Sequence, residues 1–493
     1  MKRILLLGLL AALAQAHVGS PDVYLDGKAG PYELFVTVRP PVVIPGVAEV
    51  EVRSETPGVK EIRAAPLPMA GAGAKFAPVP DKLAKSPRDA QFFTGSLWMM
   101  ASGSWQVRLT VDGDQGRGVL AIPVPSVALA TKKMQRGLGI LLACLGVFLV
   151  AGLVMMTGAS AREAKLSPGA VPNAANKRRG RIAMSVAFVI VIAVVWFGDQ
   201  WWNNDATAYA DRVYKPLAMK ASIDSAGVLN LDLEDTGWMS PGKYPLRNTL
   251  FVRRMDDFVP DHNHLMHLYA IREPGMDVVY HLHPELSDRG VFREKLPSME
   301  PGTYRLYADV VHANGFPETM VATIDIPDVP KRPLTGDDAG GETRPWTQGS
   351  PSETTFTLPD GYRMQWIRDS TPLRARQATP FRFRLLDPEG HAPKDMELYM
   401  GMLGHAAFVK TDGTTFAHIH PTGSVAMAAF MMVQKQPADM KMDMSGMEMP
   451  DSEKLPNEVM FPYGFPSPGR YRIFVQMKRG GKVETGIFDA DVK

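Results

Sequence analysis

The sequence predicts a mainly β protein of three β-sandwich domains with two transmembrane α-helices, and three observations predict it. Both large polar portions, 17–130 and 203–493, consist of short strand-like runs cut by Gly, Pro and Asp, without sustained 3.6-residue periodicity. Two apolar stretches, 137–157 and 182–202, lie between them. Each approaches the roughly 20 residues that a helix needs to cross a bilayer. Finally, one pattern of landmarks occurs twice after the second apolar stretch, on either side of a Pro- and Gly-rich segment at 331–352.

The chain opens as a secretory signal. Lys2 and Arg3 precede an apolar run from Ile4 to Leu13, and Ala14-Gln15-Ala16 supplies a cleavage site. Cleavage makes His17 the first residue of the mature protein. Residues 17–130 then read as a small sandwich, with strands at Tyr32 to Arg39, Ala48 to Arg53, Trp105 to Val111 and Gly118 to Val124. Trp105 to Pro125 looks like its last hairpin, turning at Asp112-Gly113 and Gln115-Gly116.

Basic residues orient the apolar pair. The loop 158–181 carries Arg162, Lys165, Lys177, Arg178, Arg179 and Arg181, which places it in the cytoplasm. Trp196, Trp201 and Trp202 then form an outer aromatic belt. The signal peptide gives the same topology, so both polar portions face outward from the membrane. The lone Cys144 lies within the first span, which leaves the exported parts without disulfides. Lys and Arg (54) nearly balance Asp and Glu (52), giving no case for nucleic-acid binding.

The second and third β portions, 203–330 and 353–493, carry the chemistry. His281-Leu282-His283-Pro284 and His418-Ile419-His420-Pro421 repeat one His-x-His-Pro motif. Residues i and i+2 of a strand share a face, so each motif offers two imidazoles side by side. His267 and His405 stand 14 and 13 residues upstream. In the second copy Asp412-Gly413 suits a two-residue type I′ turn, which sets His405 opposite His420 with His418 beside them. In the first copy a turn near Pro274-Gly275 is one residue longer and keeps His267 on the face of His281 and His283. The expectation is one three-histidine metal site per copy: His267, His281 and His283, then His405, His418 and His420. His262, His264, His312 and His17 are further candidates, and His312 aligns with Arg479 of the second copy.

The copies differ in length. His281 to His418 is an offset of 137 positions, whereas Pro301-Gly302 to Pro468-Gly469 is one of 167, so the second copy has gained 30 residues. The insertion holds Met440, Met442, Met444, Met447 and Met449, with Met427, Met431 and Met432 before them. Polar residues alternate with these methionines over 434–457, which therefore reads as an exposed loop. Soft thioethers select Cu(I), so copper is preferred, although Zn²⁺ also accepts three imidazoles with an open fourth position. A site at His17 would need Met69, Met99, Met100 or a ligand from another domain, since 17–130 holds no other histidine.

Catalytic motifs are missing. His262-Asn263-His264-Leu265-Met266-His267 has Met266 where an HxHxDH motif needs Asp, and no HExxH, P-loop, GxSxG or Rossmann fingerprint occurs. No enzyme is expected.

Three segments of the first copy carry a family likeness: His267-Leu268-Tyr269, His281 to Glu285, and Pro301-Gly302-Thr303-Tyr304-Arg305 through Asp309. Together they resemble bacterial exported domains placed with YtkA-like and FixH-like proteins. Gly404-His405-Ala406, His418 to Pro421 and Pro468-Gly469-Arg470-Tyr471 look like a sister form. The resemblance covers 255–325 and 395–490. It implies immunoglobulin-like sandwiches associated with copper handling or respiratory-oxidase assembly, hence a partner protein of that kind and the membrane. Residues 17–130 look like a further sandwich of this general kind. The expectation is a membrane-anchored copper carrier, sequestration or oxidase-assembly factor. The competing expectations are an interaction scaffold with structural histidines and a metal-dependent envelope enzyme.

Overall fold

The computed structural model describes residues 22–69, 76–167, 169–240, 252–347, 353–434 and 455–493. The chain is mainly β, in antiparallel sheets, and forms two units: one from the chain up to Val127 together with Tyr214–Lys493, the other from Ala128–Val213. The second unit is a helical hairpin of Arg136–Glu163 and Ala174–Ala210. Both helices are long and apolar enough to cross a membrane, and their large apolar side chains are exposed. They extend past the expected spans, so most of the basic 158–181 segment is itself helical. Asn173 caps the second helix by accepting a hydrogen bond from the Asn176 N–H. The helices meet closely at Gly158 and Gly180, where a Cβ on Gly180 would stand 2.9 Å from the Gly158 carbonyl oxygen.

Each of the three β portions contributes two sheets. In the first, Val23–Ala29, Tyr32–Arg39, Gly46–Ser54, Phe92–Met99 and Ala84–Lys85 form one sheet. Asp81–Lys82, Val59–Pro68, Gly103–Gly113 and Gly116–Ser126 form the other. Its last hairpin turns where expected, with Gly113 paired to Gly116.

The two later portions repeat one plan. In the earlier of them, Gly302–His312 lies between His267–Arg272 and Pro317–Ile326, and His267–Arg272 pairs on its other side with Val278–Leu282. In the later one Gly469–Arg479 lies between His405–Lys410 and Lys482–Val492, and His405–Lys410 pairs with Phe416–Ile419. Register follows expectation in both hairpins. Ala406 faces Ile419 and Leu268 faces Leu282, so the ladders put His405 in line with His420 and His267 with His283. The turn chemistry differs from expectation. Lys410 accepts from the Gly413 N–H, and only Gly413 (φ +71°) is left-handed there, so the turn is not type I′. Its four-residue loop keeps the same centre, and the register survives.

Both faces of these hairpin sheets are buried, and the period of two divides them. Even-numbered Leu268, Ala270, Leu282 and Leu306 pack with Leu229, Leu231 and Phe292 of the companion sheet. Ala406, Phe408, Ile473 and Val475 likewise pack with Met364, Phe381, Phe383 and Phe461. The opposite faces meet one another. Tyr269, Ile271, Val279 and Tyr307 of one copy join Ala407, Val409, Phe416, Phe474 and Ile487 of the other in a separate cluster. Tyr307 stacks on Phe416 with ring centroids 4.4 Å apart and planes 7° apart. Burying a side chain of this size contributes roughly 1.5–3 kcal/mol. Arg472 ties the faces further, pairing with Asp489 and donating to the carbonyls of Gly275, Met276 and Arg344. Within 331–352, Ala339–Glu342 adds an edge strand to Val278–Leu282.

Candidate metal centre

The faces that meet are the ones that carry the histidines. His267, Tyr269 and Ile271 share one side of their strand, and His405, Ala407 and Val409 share the equivalent side of theirs. Apposing the two apolar faces therefore brings the histidines of both copies together at one end. Eight histidines gather there: His262, His264, His267, His281, His283, His405, His418 and His420. All are linked by ring contacts with centroids 4.0–6.4 Å apart. His281 and His405 are fully buried, and His267 and His420 are 2% and 3% exposed.

The candidate ligand sets cross between the copies rather than staying one per copy. One triad is His262, His405 and His420; the other is His267, His281 and His418, and within each the candidate nitrogens lie within 4.8 Å of one another. Three imidazoles around one ion at about 2.0–2.1 Å have ring centroids roughly 5–5.5 Å apart. The observed separations are 4.8–5.0 Å in the first triad and 5.2–5.4 Å in the second. The residues fit a metal ion.

Hydrogen bonding behind the rings fixes which nitrogen faces inward. His267 Nε2 lies 3.0 Å from the Asp261 carbonyl, which can only accept, so Nε2 carries the proton and Nδ1 presents a lone pair. Tyr399 donates to the Asp337 carbonyl at 2.7 Å, so its oxygen is left to accept from His281 Nδ1 at 3.3 Å. Gln476 Oε1 accepts from the same Nδ1 at 2.9 Å. His281 therefore also presents a lone pair, from Nε2, and that atom lies 3.1 Å from His267 Nδ1. Two lone pairs aimed at each other repel unless a proton or a cation sits between them. Burial argues against the proton, pushing His267 down to about 3 and His281 well below the usual imidazole range.

Three of the four remaining candidates are backed in the same way. His262 Nδ1 donates to the Met400 carbonyl at 3.0 Å and His420 Nδ1 to the Val425 carbonyl at 3.3 Å. His418 Nδ1 stands 3.5 Å from Asp309 Oδ2. The Nε2 atoms of His262, His418 and His420, and both ring nitrogens of His405, are buried with no hydrogen-bond partner among the described residues. Such orphans are costly in a core of neutral groups. Metal-bound histidines have this arrangement, with the outer N–H on an oxygen and the inner nitrogen bare. Burial also pushes His405 and His418 down and His420 to about 3, which keeps the rings neutral and able to ligate.

The other candidates fall elsewhere. His283 and His264 stack at 4.0 Å beside the second triad and face Asp338 and Asp337, outside both triads. His312, although fully buried, is not among the gathered rings. It sits between Asp257 and Glu318, with Arg253 on the same glutamate. His17 and Met440, Met442, Met444, Met447 and Met449 lie outside the described residues. The segment holding those methionines follows the helix Met427–Gln434, whose Ala428 N–H is held by Asp261 Oδ1. Sequence reasoning did not anticipate Gln476, Tyr399 or the role of Asp309. The alternation that buries His405 also buries Gln476, paired opposite it, but no spacing rule singles that residue out.

Fold and site together define a mainly β protein with two candidate membrane spans and an interior polyhistidine cluster. Residues 354–493 match the model of a domain of unknown function, DUF8832. No curated protein matches the chain. Among solved structures, a tetra-tandem repeat from the extending region of a large adhesion protein is 8% identical, with 91% of this chain and 71% of that one covered and a TM-score of 0.16. A putative membrane-anchored protein from Corynebacterium diphtheriae is 9% identical over 95% and 94% of the chains, with a TM-score of 0.15. Salmonella alpha-2-macroglobulin is 8% identical at a TM-score of 0.19, and the 97% of this chain that aligns spans only 24% of that protein.

Proposed function

We propose that this chain is a membrane-anchored envelope copper protein, whose helical hairpin holds three immunoglobulin-like sandwiches on the periplasmic side. The observation that carries this reading is the pair of ring nitrogens, His267 Nδ1 and His281 Nε2, held 3.1 Å apart with lone pairs facing. All six converging ligands are imidazoles, a donor set that suits copper or zinc. The methionine-rich segment tips the choice toward copper, because thioethers capture Cu(I) and not Zn²⁺. The protein then sequesters copper or passes it to a respiratory-oxidase or other copper-handling partner, with Met440 to Met449 as collector and the imidazoles as receiver.

The test is metal uptake by the full-length protein in detergent, measured for Cu(I), Cu(II) and Zn²⁺ separately. The proposal requires copper retained through desalting and lost when His281 and His405 are both replaced by Ala. Deleting 435–454 should weaken Cu(I) capture more than Zn²⁺ capture. A protein that retains no copper sinks the reading and leaves a scaffold with structural histidines.

A further inference from the structure

The two triads share no residue, yet they abut. His418 lies 4.6 Å from His420 and 5.5 Å from His405 between ring centroids, close to the 4.8–5.4 Å between rings within the triads. His281 approaches His405 at 6.4 Å and His262 approaches His267 at 6.2 Å. The two candidate sites therefore adjoin, and ions drawn off the triad planes toward the shared side would form a two-metal site, in which ions stand about 3.5–4 Å apart.

Each triad provides three nitrogens, one fewer than a closed four-coordinate site uses. The outer sides of five of the six rings are occupied, and His405 has no partner on either nitrogen among the described residues. Behind the rings stand the carbonyls of Asp261, Met400 and Val425, the side chains of Gln476 and Tyr399, and the Asp309 carboxylate. An additional ligand common to both ions must lie on the side that the triads share. None of the six ligands is an anion, whereas two divalent ions in a buried site need one. Full burial of His281 and His405 limits that anion to the smallest size.

Resting on the copper reading above, we infer that the cluster is a single two-copper centre whose ions share one bridging oxygen ligand, hydroxide in the Cu(II) state. The ligand forms when a water binds both ions and releases one proton to solvent, and no electron is transferred. Each ion draws imidazoles from both duplicated sandwiches, so neither copy holds an ion by itself.

The experiment loads the full-length protein with Cu(II), counts copper per chain by mass spectrometry, and integrates the electron paramagnetic resonance signal of the same sample. The expected result is two coppers per chain with most of the spin missing, because a hydroxide bridge couples the two unpaired electrons. His405→Ala should leave one copper whose spin is fully recovered, and His281→Ala should do the same from the other triad. Circular dichroism on both variants verifies that they fold. One copper per chain, or two with the full spin count, overturns the bridged centre while leaving copper binding intact. No copper at all overturns the copper reading itself, and this inference with it.

Discussion

At the residue scale, metal content depends on which imidazoles are ligands and which only line the cluster. His405 has two buried ring nitrogens without partners, so removing its ring deletes a ligand and no hydrogen bond. His283 is anchored at one nitrogen by Asp338 and belongs to neither triad. His405→Ala should therefore cost at least one bound ion, whereas His283→Ala should leave the ion count unchanged; metal analysis after desalting separates them. Gln476 acts behind His281 rather than on the ion. Loss of such an outer partner typically weakens metal affinity roughly 10–100-fold. Gln476→Ala should show that loss in a chelator competition, with the number of sites preserved. A variant that binds as tightly as the parent would remove Gln476 from the account.

At the element scale the decisive feature is a strand buried on both sides. His267–Arg272 and His405–Lys410 send one set of residues to their own core and the other to the opposing copy. Phe474 is fully buried in the face between the copies, and Phe474→Ala should destabilise the protein by about 3–5 kcal/mol. Denaturant unfolding reads this directly, and a change below about 1 kcal/mol would mean that the faces are not packed.

His312 ends its strand, Gly302–His312, and carries a pH dependence of its own. Burial alone would lower this imidazole, but hydrogen bonds to Asp257 and Glu318, with the charge on both carboxylates, raise it above the usual range. A raised folded pKa contributes stability that is complete below the unfolded value and is lost as pH rises through the folded one. The stability gap between the parent and His312→Gln should therefore be largest in mild acid and shrink as pH rises past the raised value. A gap that grows with pH would contradict the charged network.

At the scale of the whole molecule, each triad draws on both duplicated portions. An ion held this way binds only the assembled state, so it stabilises that state by mass action. Copper should raise the melting temperature of the full-length protein, and the shift should disappear in the double variant His281→Ala with His405→Ala. An unchanged melting temperature on loading would contradict ligands shared between the portions.

Much of this was legible in the residues. Alternation and turn spacing gave the mainly β character, the last hairpin of the first portion and the register of both histidine hairpins. The two apolar stretches gave the helical hairpin, although basic 158–181 proved largely helical. The candidate triads group the histidines differently from expectation, for a physical reason. A strand's periodicity tells which residues share a face, not what that face meets, and here each histidine face meets its counterpart in the other copy. His262 could not be assigned from periodicity because it lies outside any strand, at φ +49° in the turn after Asp261.

Imidazoles supply every protein ligand to the ion in this reading. X-ray absorption of the Cu(II)-loaded full-length protein tests it most directly. The account predicts a nitrogen shell at about 2.0 Å with the outer-shell scattering of about three imidazoles per copper. A shell of oxygen or sulfur without imidazole scattering, at full copper loading, would contradict it.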